Sequence, residues 1–478
     1  MSDTYDLVVL GGGPGGYTAA FRAADLGMRV ALVEDRERLG GVCLNIGCIP
    51  SKALLHAAGV ISTAAHASSI GLDFGPPTID VDKLRTSTEK VVATLTRGLD
   101  GLAKKRRIEV IRGTGTFVSA TQVSVSGGDD DRNLDFTHAI VAVGSRPIMP
   151  PAFPTDARVI TSTGALALDG IPDHLVIVGG GIIGLEMATV YRALGAQVTV
   201  VEMMDQLIPG CDGDLVKPLH ARLVGEGVSV HLGTTIADVV ATPEALEMVL
   251  RGADSEQPLT ADRMLVAVGR RPNGDRVGAE RAGVHVDERG YIPVDDTMRT
   301  NVAHIFAIGD VIGNPMLAHK ATHQGSVAAE NAAGGDDVFD ARTIPSVAYT
   351  DPEIAWAGLT ETAAAEQGVA YELATIPWVA SGRAMTLGQT DGRTKLLVEP
   401  GSHRIIGAGI VGPNAGELIA EHVLAIEMGA VAEDMARTIH AHPTLSETGA
   451  LAAEWAEGTI TDLYRPPARR ANGNVSNR

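Results

Sequence analysis

Three observations predict an α/β fold with two Rossmann-like domains followed by an α+β domain. The first is a duplication: residues 5–35, YDLVVLGGGPGGYTAAFRAADLGMRVALVED, match residues 173–203, DHLVIVGGGIIGLEMATVYRALGAQVTVVEM. The second is that each copy contains an apolar strand, a glycine-rich turn, a helix with apolar residues at helical spacing, and a second strand ending in an acid. The third is a change of composition after about Thr343, where strands such as TKLLVEP precede helices such as AGELIAEHVLAIEMGA.

Glycine-containing segments between these parts predict the domain boundaries. HAIVAVGSRPIMPP (His138–Pro151) and RMLVAVGRRPNGD (Arg263–Asp275) each contain a strand followed by a turn, which is typical of a crossing between domains. The predicted division is a first nucleotide-binding domain over 1–147, a second over 148–274, a return to the first over 275–343, an α+β domain over 344–465 and a disordered tail over 466–478.

Composition and charge exclude several classes of protein. The 478 residues carry a formal net charge of −19, which argues against binding to nucleic acid or to anionic membrane surfaces. The sequence lacks an uninterrupted run of about 18 apolar residues, which a membrane-spanning helix needs. The N-terminal residues enter a strand at once, without the basic and apolar regions of a signal peptide. These features predict a cytoplasmic protein.

Each half of the duplication carries a G-x-G-x-x-G motif followed by an acid. The glycines allow a tight turn, close approach of a pyrophosphate, and close packing of helix on strand, while the acid can accept hydrogen bonds from a ribose. The glycines are Gly11, Gly13 and Gly16 in the first copy and Gly179, Gly181 and Gly184 in the second, and the acids are Glu34 and Glu202. A carboxylate at Glu202 would repel a 2′-phosphate, so the second site should prefer NAD to NADP.

Two dinucleotide sites in one chain predict a flavin and a nicotinamide that exchange electrons. The alternative is one functional site beside a decayed copy, but both copies keep every glycine and the acid. AHIFAIGDV (Ala303–Val311) predicts a further buried strand, which ends in Gly309 and Asp310, and Asp310 could receive a ribityl hydroxyl of the flavin. The next segment, Asn314–Gly334, predicts a helix that returns to that flavin.

The stretch GGVCLNIGCIPSKALLHAA (Gly40–Ala58) contains two of the three cysteines, Cys43 and Cys48. A zinc site would need further ligands at matching spacing, and a structural disulfide would be reduced in the cytosol. A redox-active pair is the favoured interpretation. Cys48 should lie near a helix N-terminus, where the helix dipole and the charge of Lys52 would stabilise a thiolate.

A dithiol that is oxidised must release protons, so a base is expected. TIHAHPTLSETG (Thr438–Gly449) offers His442 and Glu447, which predict a histidine oriented by a carboxylate. Taken alone, either His440 or His442 could instead be a structural histidine.

At these motifs the chain resembles the pyridine nucleotide–disulfide oxidoreductases and, within them, the dihydrolipoyl dehydrogenases. The resemblance extends to about Tyr464, and its most specific parts are GGVCLNIGCIPSKALL, GGGIIGLEMATVY, HIFAIGDV, PMLAHKA and HAHPTLSE. It implies that Cys43 exchanges with the substrate, that Cys48 contacts the flavin, and that His442 and Glu447 transfer protons. It implies FAD at Gly11, Gly13, Gly16, Glu34, Lys52, Gly115, Gly144, Ser145, Arg146, Gly309, Asp310 and Ala318. It implies NAD at Gly179, Gly181, Gly184, Glu186, Glu202 and Gly269, with Glu186 paired to Lys52.

The resemblance also implies partners. Oxidation of dihydrolipoamide by NAD⁺ would serve lipoyl domains of a 2-oxo acid dehydrogenase acyltransferase or of glycine cleavage components, and each active site would span a homodimer interface. Glutathione reductase and mercuric reductase activities are the alternatives within the family, and a structural or regulatory flavoprotein subunit is a third. Gln324 stands where relatives often carry an acid, and Cys211 has no role in the family that we can assign.

Overall fold

The computed structural model of the chain describes residues 3–128, 131–253 and 255–464. The predicted tail, 466–478, lies outside these residues. The helices are α1 (Pro14–Asp25), α2 (Gly41–Ile46), α3 (Cys48–His66), α4 (Val81–Lys105), α5 (Ser162–Ala167), α6 (Ile182–Ala193), α7 (Gly213–Gly225), α8 (Ala318–Ala332), α9 (Glu361–Gln367), α10 (Gly382–Leu387), α11 (Ala415–Met428), α12 (Ala432–Arg437) and α13 (Glu447–Glu457). Short 3₁₀ helices cover Ala67–Ile70, Gly274–Arg276, Ala279–Ala282, Gly309–Val311 and Trp378–Ala380.

The described residues form two compact units. The N-terminal unit contains the residues up to Leu207 together with Leu223–Asp340, and the C-terminal unit contains Ile208–Arg222 together with the described residues from Ala341 onward. The strands up to residue 307 are β1 (Asp3–Leu10), β2 (Val30–Glu34), β3 (Glu109–Arg112), β4 (Thr114–Ser119), β5 (Gln122–Ser126), β6 (Arg132–Val141), β7 (Ser145–Pro147), β8 (Val159–Ile160), β9 (His174–Val178), β10 (Gln197–Val201), β11 (Ser229–His231), β12 (Thr235–Ala241), β13 (Leu246–Arg251), β14 (Glu256–Ala261), β15 (Arg263–Val266), β16 (Arg270–Pro272) and β17 (Ile305–Ala307).

The first nucleotide-binding sheet of the N-terminal unit has the strand order β3-β2-β1-β6-β5-β4, with β17 on β6. Strands β1, β2, β3, β6 and β17 are parallel to their neighbours in this group, whereas β4, β5 and β6 form an antiparallel meander. The central strands are buried on both faces, which requires the continuous apolar sequences VVL and VALV. Helices α1 and α8 pack against one another beside this sheet.

The second nucleotide-binding sheet has the parallel order β11-β10-β9-β15-β8 and is accompanied by the antiparallel strands β12-β13-β14. Strands β7 and β16, which lie in the two segments predicted to cross between domains, pair in an antiparallel ladder. The repeated strand–turn–helix–strand pattern of the sequence therefore folds as two Rossmann-like sheets, and the predicted fold class is confirmed.

The C-terminal unit contains an antiparallel sheet in the order β18-β19-β22-β21-β20. Its strands are β18 (Ser346–Ala348), β19 (Ile354–Gly358), β20 (Glu372–Pro377), β21 (Arg393–Val398) and β22 (Ile405–Val411). Helices α11 and α13 pack on the sheet around a core that includes Trp378, Leu396, Ile410 and Ile419. This is the α+β architecture expected after Thr343.

A buried ion cluster joins the segment Ile208–Arg222 to this C-terminal sheet. The ammonium of Lys395, on β21, lies 2.7 Å from carboxylate oxygens of Asp212, Asp214 and Glu361, and its side chain is only 1% exposed. Burial acts to lower the pKa of Lys395, but the three carboxylates outweigh it and the pKa is raised. A cation held among carboxylates in this way is costly to separate from them.

One helical stretch among the described residues, Gly41–Ile70, is long and apolar enough to cross a membrane by length and composition alone. It contains the predicted thiol pair, and its α3 segment packs against α4 and α6. It also carries Lys52, whose ammonium forms an ion pair with Glu186 of α6. These contacts are those of a helix built into a folded unit.

Candidate active site

The first glycine motif forms a turn that leaves no room for a side chain at its first and third glycines. Gly11 has φ +101°, and a Cβ there would lie 2.4 Å from the carbonyl oxygen of Ala142. A Cβ at Gly16 would lie 1.8 Å from the carbonyl oxygen of Gly11. Helix α1 begins at Pro14, directly after Gly13, so its unpaired N–H groups open onto the turn. The turn is thus a cradle that fits a pyrophosphate at the start of a helix.

Glu34 closes this turn from the end of β2. Its carboxylate accepts hydrogen bonds from the backbone N–H groups of Gly12, at 2.8 Å, and Arg36, at 3.0 Å. Burial, assisted by the neighbouring Asp35, raises the pKa of Glu34 to about 7. Two ribose hydroxyls donating to the carboxylate would favour its charged form. The arrangement therefore fits an adenosine ribose.

The second glycine motif repeats this geometry. Gly179 has φ +108°, and a Cβ at Gly184 would lie 2.1 Å from the carbonyl oxygen of Gly179. Glu202 accepts hydrogen bonds from Gly180 N–H, at 2.6 Å, and Met204 N–H, at 2.8 Å. Gly181 immediately precedes α6, as Gly13 precedes α1. Both halves of the duplication thus fit a dinucleotide for the same physical reasons.

The turn at Gly309 and Asp310 lies directly after β17. Asp310 accepts a hydrogen bond from the hydroxyl of Ser145, and Gly309 N–H donates to the side-chain oxygen of Gln324 at 2.9 Å. Gln324 is buried, with 3% exposure. The residue for which the sequence offered no role therefore holds the backbone next to Asp310, and an amide oxygen makes this bond without adding a buried charge.

The other residues predicted near the two cofactors have different surroundings. Gly144 has φ +63° just before β7, Gly269 has φ +124° just before β16, and Ala318 is the first residue of α8. Gly115 lies within β4, where a Cβ would be 2.6 Å from the side chain of Leu10. The guanidinium of Arg146 forms an ion pair with Asp275 at 2.8 Å. The structure thus gives Arg146 a contact that needs no cofactor.

The two predicted redox cysteines lie at the junction of α2 and α3. Cys48 is the first residue of α3, and Gly47 separates it from α2, which contains Cys43. Both are free thiols, and each shifts the pKa of the other. Interaction with Cys48 raises the pKa of Cys43, with burial adding to the effect. Interaction with Cys43, helped by the charge of Lys52, lowers the pKa of Cys48 to about 7.

Lys52 and Glu186 connect the thiol helix to the second nucleotide turn. The ammonium of Lys52 lies 2.8 and 3.0 Å from the two carboxylate oxygens of Glu186, and the hydroxyl of Ser51 donates to Glu186 at 2.7 Å. Glu186 belongs to the first turns of α6. The pair therefore brings a positive charge close to Cys48 and places the thiols near the helix that starts at the second glycine motif.

The predicted base lies in the C-terminal unit. His442 Nδ1 is 2.9 Å from Glu447 Oε1, and the N–H of Thr444 donates to the other oxygen at 2.7 Å. Burial acts to raise the pKa of Glu447, but these hydrogen bonds outweigh it and the pKa is lowered. The imidazole is 81% exposed, so Nε2 can meet a reactant. The arrangement is that of an oriented base.

His440 and His442, between which the sequence left the choice open, have different contacts in the structure. Both ring nitrogens of His440 are engaged, Nε2 with Glu421 at 2.7 Å and Nδ1 with the carbonyl oxygen of Thr438 at 2.9 Å. His440 therefore has the contacts of a structural histidine, and His442 has those of a base. Cys211 is buried, and burial raises its pKa to about 12, so it is an inert thiol.

Sequence reasoning missed Arg270 and Ser51. Arg270 donates two hydrogen bonds to Ser145, and Ser51 donates to Glu186. The likeness of the segments GSRP and GRRP could have drawn attention to Arg270. Ser51 gives no such signal, because its partner lies in another part of the sequence.

Comparison with known proteins shows the family. The sequence pattern of the pyridine nucleotide-disulphide oxidoreductases matches residues 5–325, and that of their dimerisation domain matches residues 344–453. The chain is 52% identical over 466 residues to a dihydrolipoyl dehydrogenase of Vibrio cholerae, covering 97% of this chain and 98% of that one. It is 51% identical over 465 residues to a dihydrolipoyl dehydrogenase of Haemophilus influenzae, covering 97% of both chains.

Solved structures agree with this result. LpdA from Mycobacterium tuberculosis superposes with a TM-score of 0.87 at 27% sequence identity, covering 95% of this chain and 99% of that one. The HOCl-induced flavoprotein disulfide reductase RclA from Escherichia coli gives 0.82 at 27% identity, covering 93% and 98%. The chain belongs to the pyridine nucleotide-disulphide oxidoreductase family. The predicted enzyme class and its cofactors, FAD and NAD, are confirmed, and the dimerisation domain supports the predicted homodimer.

Removing the positive charge of Lys52 should raise the pKa of Cys48. Burial raises the pKa of Cys211 to about 12, and the pKa of Cys43 is raised too, so neither thiol ionises near neutral pH. The ultraviolet absorbance of thiolate in the reduced apoprotein near pH 7 therefore reports the ionisation of Cys48. We expect Lys52→Met to move that titration above pH 7. The double variant K52M/E186Q should raise the pKa of Cys48 less than Lys52→Met does, because the carboxylate of Glu186, which Lys52→Met leaves unpaired, is then also removed.

Lys83→Met is the matched control, because Lys83 is an exposed lysine of the same unit. Its titration should coincide with that of the wild type. A wild-type titration in Lys52→Met would show that the charge of Lys52 does not lower the pKa of Cys48.

Proposed function

We propose that this member of the pyridine nucleotide-disulphide oxidoreductase family oxidises dihydrolipoamide to lipoamide and passes the electrons to NAD⁺. The observation that carries the proposal is the pair of thiols, Cys43 in α2 and Cys48 at the start of α3, beside the ion pair of Lys52 and Glu186. Relatives named dihydrolipoyl dehydrogenase at 51–52% identity over 97% of the chain support the choice of substrate.

The binding roles predicted for the two nucleotide sites are part of this proposal. FAD would lie along the first glycine turn, with its ribose at Glu34 and its ribityl chain at Asp310, while NAD would lie along the second, with its ribose at Glu202. Bound FAD would accept an electron pair from the dithiol and deliver a hydride to NAD⁺. The carboxylate of Glu202 would disfavour a 2′-phosphate on the nicotinamide cofactor.

The difference in pKa between the two cysteines supports attack at Cys43. In the oxidised enzyme these cysteines form a disulfide, and a substrate thiolate that attacks Cys43 releases Cys48 as thiolate. Thiol exchange is faster when the leaving thiol has the lower pKa, and the pKa of Cys48 is lowered to about 7. The second substrate thiolate then attacks the substrate sulfur of the mixed disulfide and displaces Cys43.

Proton transfer balances this exchange. Dihydrolipoamide loses two protons and two electrons, and lipoamide leaves with its disulfide closed. His442 would accept the proton of the attacking thiol at Nε2, because Nδ1 is engaged by Glu447. As Cys43 leaves, the imidazolium would protonate it, which fits the raised pKa of that thiol, and His442 would in turn accept the proton of the second substrate thiol, so that both protons are accounted for.

We assign His442 to the thiol pair of the partner subunit, so that a homodimer is the active form. The match to the dimerisation domain, together with the exposure of His442, supports this assignment. Lipoyl domains of a 2-oxo acid dehydrogenase complex or of the glycine cleavage system would carry the substrate. We also propose a cytoplasmic location, because a reducing compartment keeps thiols in the reduced form that takes part in disulfide exchange.

The substrate assignment predicts the outcomes of two assays. The FAD-loaded protein should reduce NAD⁺ with dihydrolipoamide and should leave NADPH unoxidised in the presence of glutathione disulfide. Cys43→Ser should abolish the first reaction and serves as the control for a thiol-independent background. Faster oxidation of NADPH by glutathione disulfide than reduction of NAD⁺ would contradict the proposal.

Loss of the base should slow turnover without loss of flavin. We expect His442→Gln to reduce dihydrolipoamide oxidation by about 10²–10⁴-fold, because the attacking thiol then has no proton acceptor. The matched control is His403→Gln, since His403 is bonded to Glu457 at 2.7 Å in the same unit but has no assigned role. That control should turn over at the wild-type rate. A wild-type rate in His442→Gln would remove His442 from the mechanism.

A further inference from the structure

We propose that Arg270 is a positioning residue of the FAD site, which orients the hydroxyl of Ser145 so that this hydroxyl fixes the carboxylate of Asp310. The inference rests on the proposed function, because it takes Asp310 as the residue that receives the ribityl chain of FAD. Arg270 lies outside the glycine motifs and the redox segment.

Arg270 donates twice to Ser145. Its Nε donates to the hydroxyl oxygen at 2.7 Å, and one of its terminal nitrogens donates to the carbonyl oxygen at 2.7 Å. A planar guanidinium with two donors in a fixed geometry sets both the position and the orientation of the serine. A lysine, which presents a single ammonium group, could not hold both oxygens in the same way.

The hydroxyl of Ser145 has one proton, and this limits what it can do. Because the oxygen accepts from Arg270, the proton is directed to its other partner, Asp310. Ser145 is buried, so water cannot replace Arg270 freely as the donor. Arg270 therefore determines which way the hydroxyl points, and the hydroxyl determines where one oxygen of Asp310 lies.

The backbone supports this arrangement. Strands β7 and β16 pair in an antiparallel ladder in which Arg270 lies opposite Pro147 and Pro272 lies opposite Ser145. The ladder connects the two crossing segments of the N-terminal unit and places Arg270 two positions from Pro272, the residue opposite Ser145. The next residue, Arg271, is 46% exposed and interacts with Asp275 instead. Two consecutive arginines thus have different environments, and only Arg270 reaches Ser145.

The charges also favour a role in positioning. Among the described residues, Arg270 has no carboxylate within ion-pair distance. Its pKa is lowered, because burial outweighs the opposing effect of the nearby Asp310. Asp310 accepts the hydrogen bond of Ser145 at Oδ2. A half-buried guanidinium without a direct ion pair loses hydration, and its hydrogen bonds to Ser145 offset part of that loss.

The affinity of the apoprotein for FAD, measured by quenching of flavin fluorescence, tests the proposal. We expect Arg270→Met and Ser145→Ala each to weaken FAD binding by about tenfold, because each removes one buried hydrogen-bonded link. The double variant S145A/R270M should bind no more weakly than the weaker single variant, since both act through the same bond to Asp310. The melting temperature of each apoprotein, measured alongside, separates loss of positioning from loss of folding.

Two control variants accompany this double-mutant cycle of Ser145 and Arg270. Arg271→Met should bind FAD as the wild type does, because Arg271 is the adjacent arginine without a contact to Ser145. Asp310→Asn tests the premise: wild-type affinity in this variant would overturn the proposed FAD site itself. If Asp310→Asn weakens binding while Arg270→Met does not, only the role of Arg270 is overturned.

Additive losses in the double variant would also overturn the proposal, because they would mean that Arg270 acts on FAD independently of Ser145. If Arg270→Met fails to fold, Arg270→Lys takes its place in the cycle. This variant keeps the charge but loses the two-pronged bond, so it should weaken FAD binding without adding to the effect of Ser145→Ala. Wild-type affinity in Arg270→Lys would show that charge alone suffices and would contradict the proposal.

Discussion

The interaction between the thiols of Cys43 and Cys48 is the one on which the proposed chemistry depends. It divides the two thiols into a poor and a good leaving group, because it raises the pKa of Cys43 and lowers that of Cys48 to about 7. The start of α3 and the charge of Lys52 favour the thiolate further. Glu186 in turn holds Lys52, so the chemistry of the thiols is coupled to the helix that begins at the second glycine motif.

The two nucleotide sites show how the same physical requirement is met twice. In both, a turn whose first and third glycines leave no room for a Cβ is followed by a helix N-terminus and is closed by a carboxylate that accepts two backbone N–H bonds. The two sites differ in the residues that surround these shared features. The first site continues to Asp310 through Ser145, and the second adjoins Glu186 and Lys52. The two sites therefore differ in residues other than the shared glycines and acid.

Sequence patterns predicted the parts of the fold that depend on local chemistry. Glycine spacing identified both turns, and the acids Glu34 and Glu202 followed from their position at strand ends. The pairing of Lys52 with Glu186 came from resemblance, since residues so far apart in sequence carry no common period. The contacts of Lys395 with Asp212, which bring Ile208–Arg222 into the C-terminal unit, were not predicted for the same reason. The predicted domain boundaries and the roles of the site residues stay predictions.

Long-range polar contacts account for most of what the sequence did not reveal. Gln324 gave no indication that it holds Gly309, and Arg270 none that it holds Ser145. A buried polar side chain needs a partner, but the sequence does not say which one. His440 and His442 illustrate the same point, because only their hydrogen bonds distinguish His440, engaged at both ring nitrogens, from His442, the proposed base.

The most direct measurement is an anaerobic titration of the FAD-loaded protein with NADH, followed by its long-wavelength absorbance. A Cys48 thiolate against oxidised flavin should produce a broad band at neutral pH in the wild type and in Cys43→Ser, and none in Cys48→Ser. The band should fade as the pH falls below about 7, because the thiolate is then protonated. A band that persists in Cys48→Ser, or its absence from the wild type, would contradict the account.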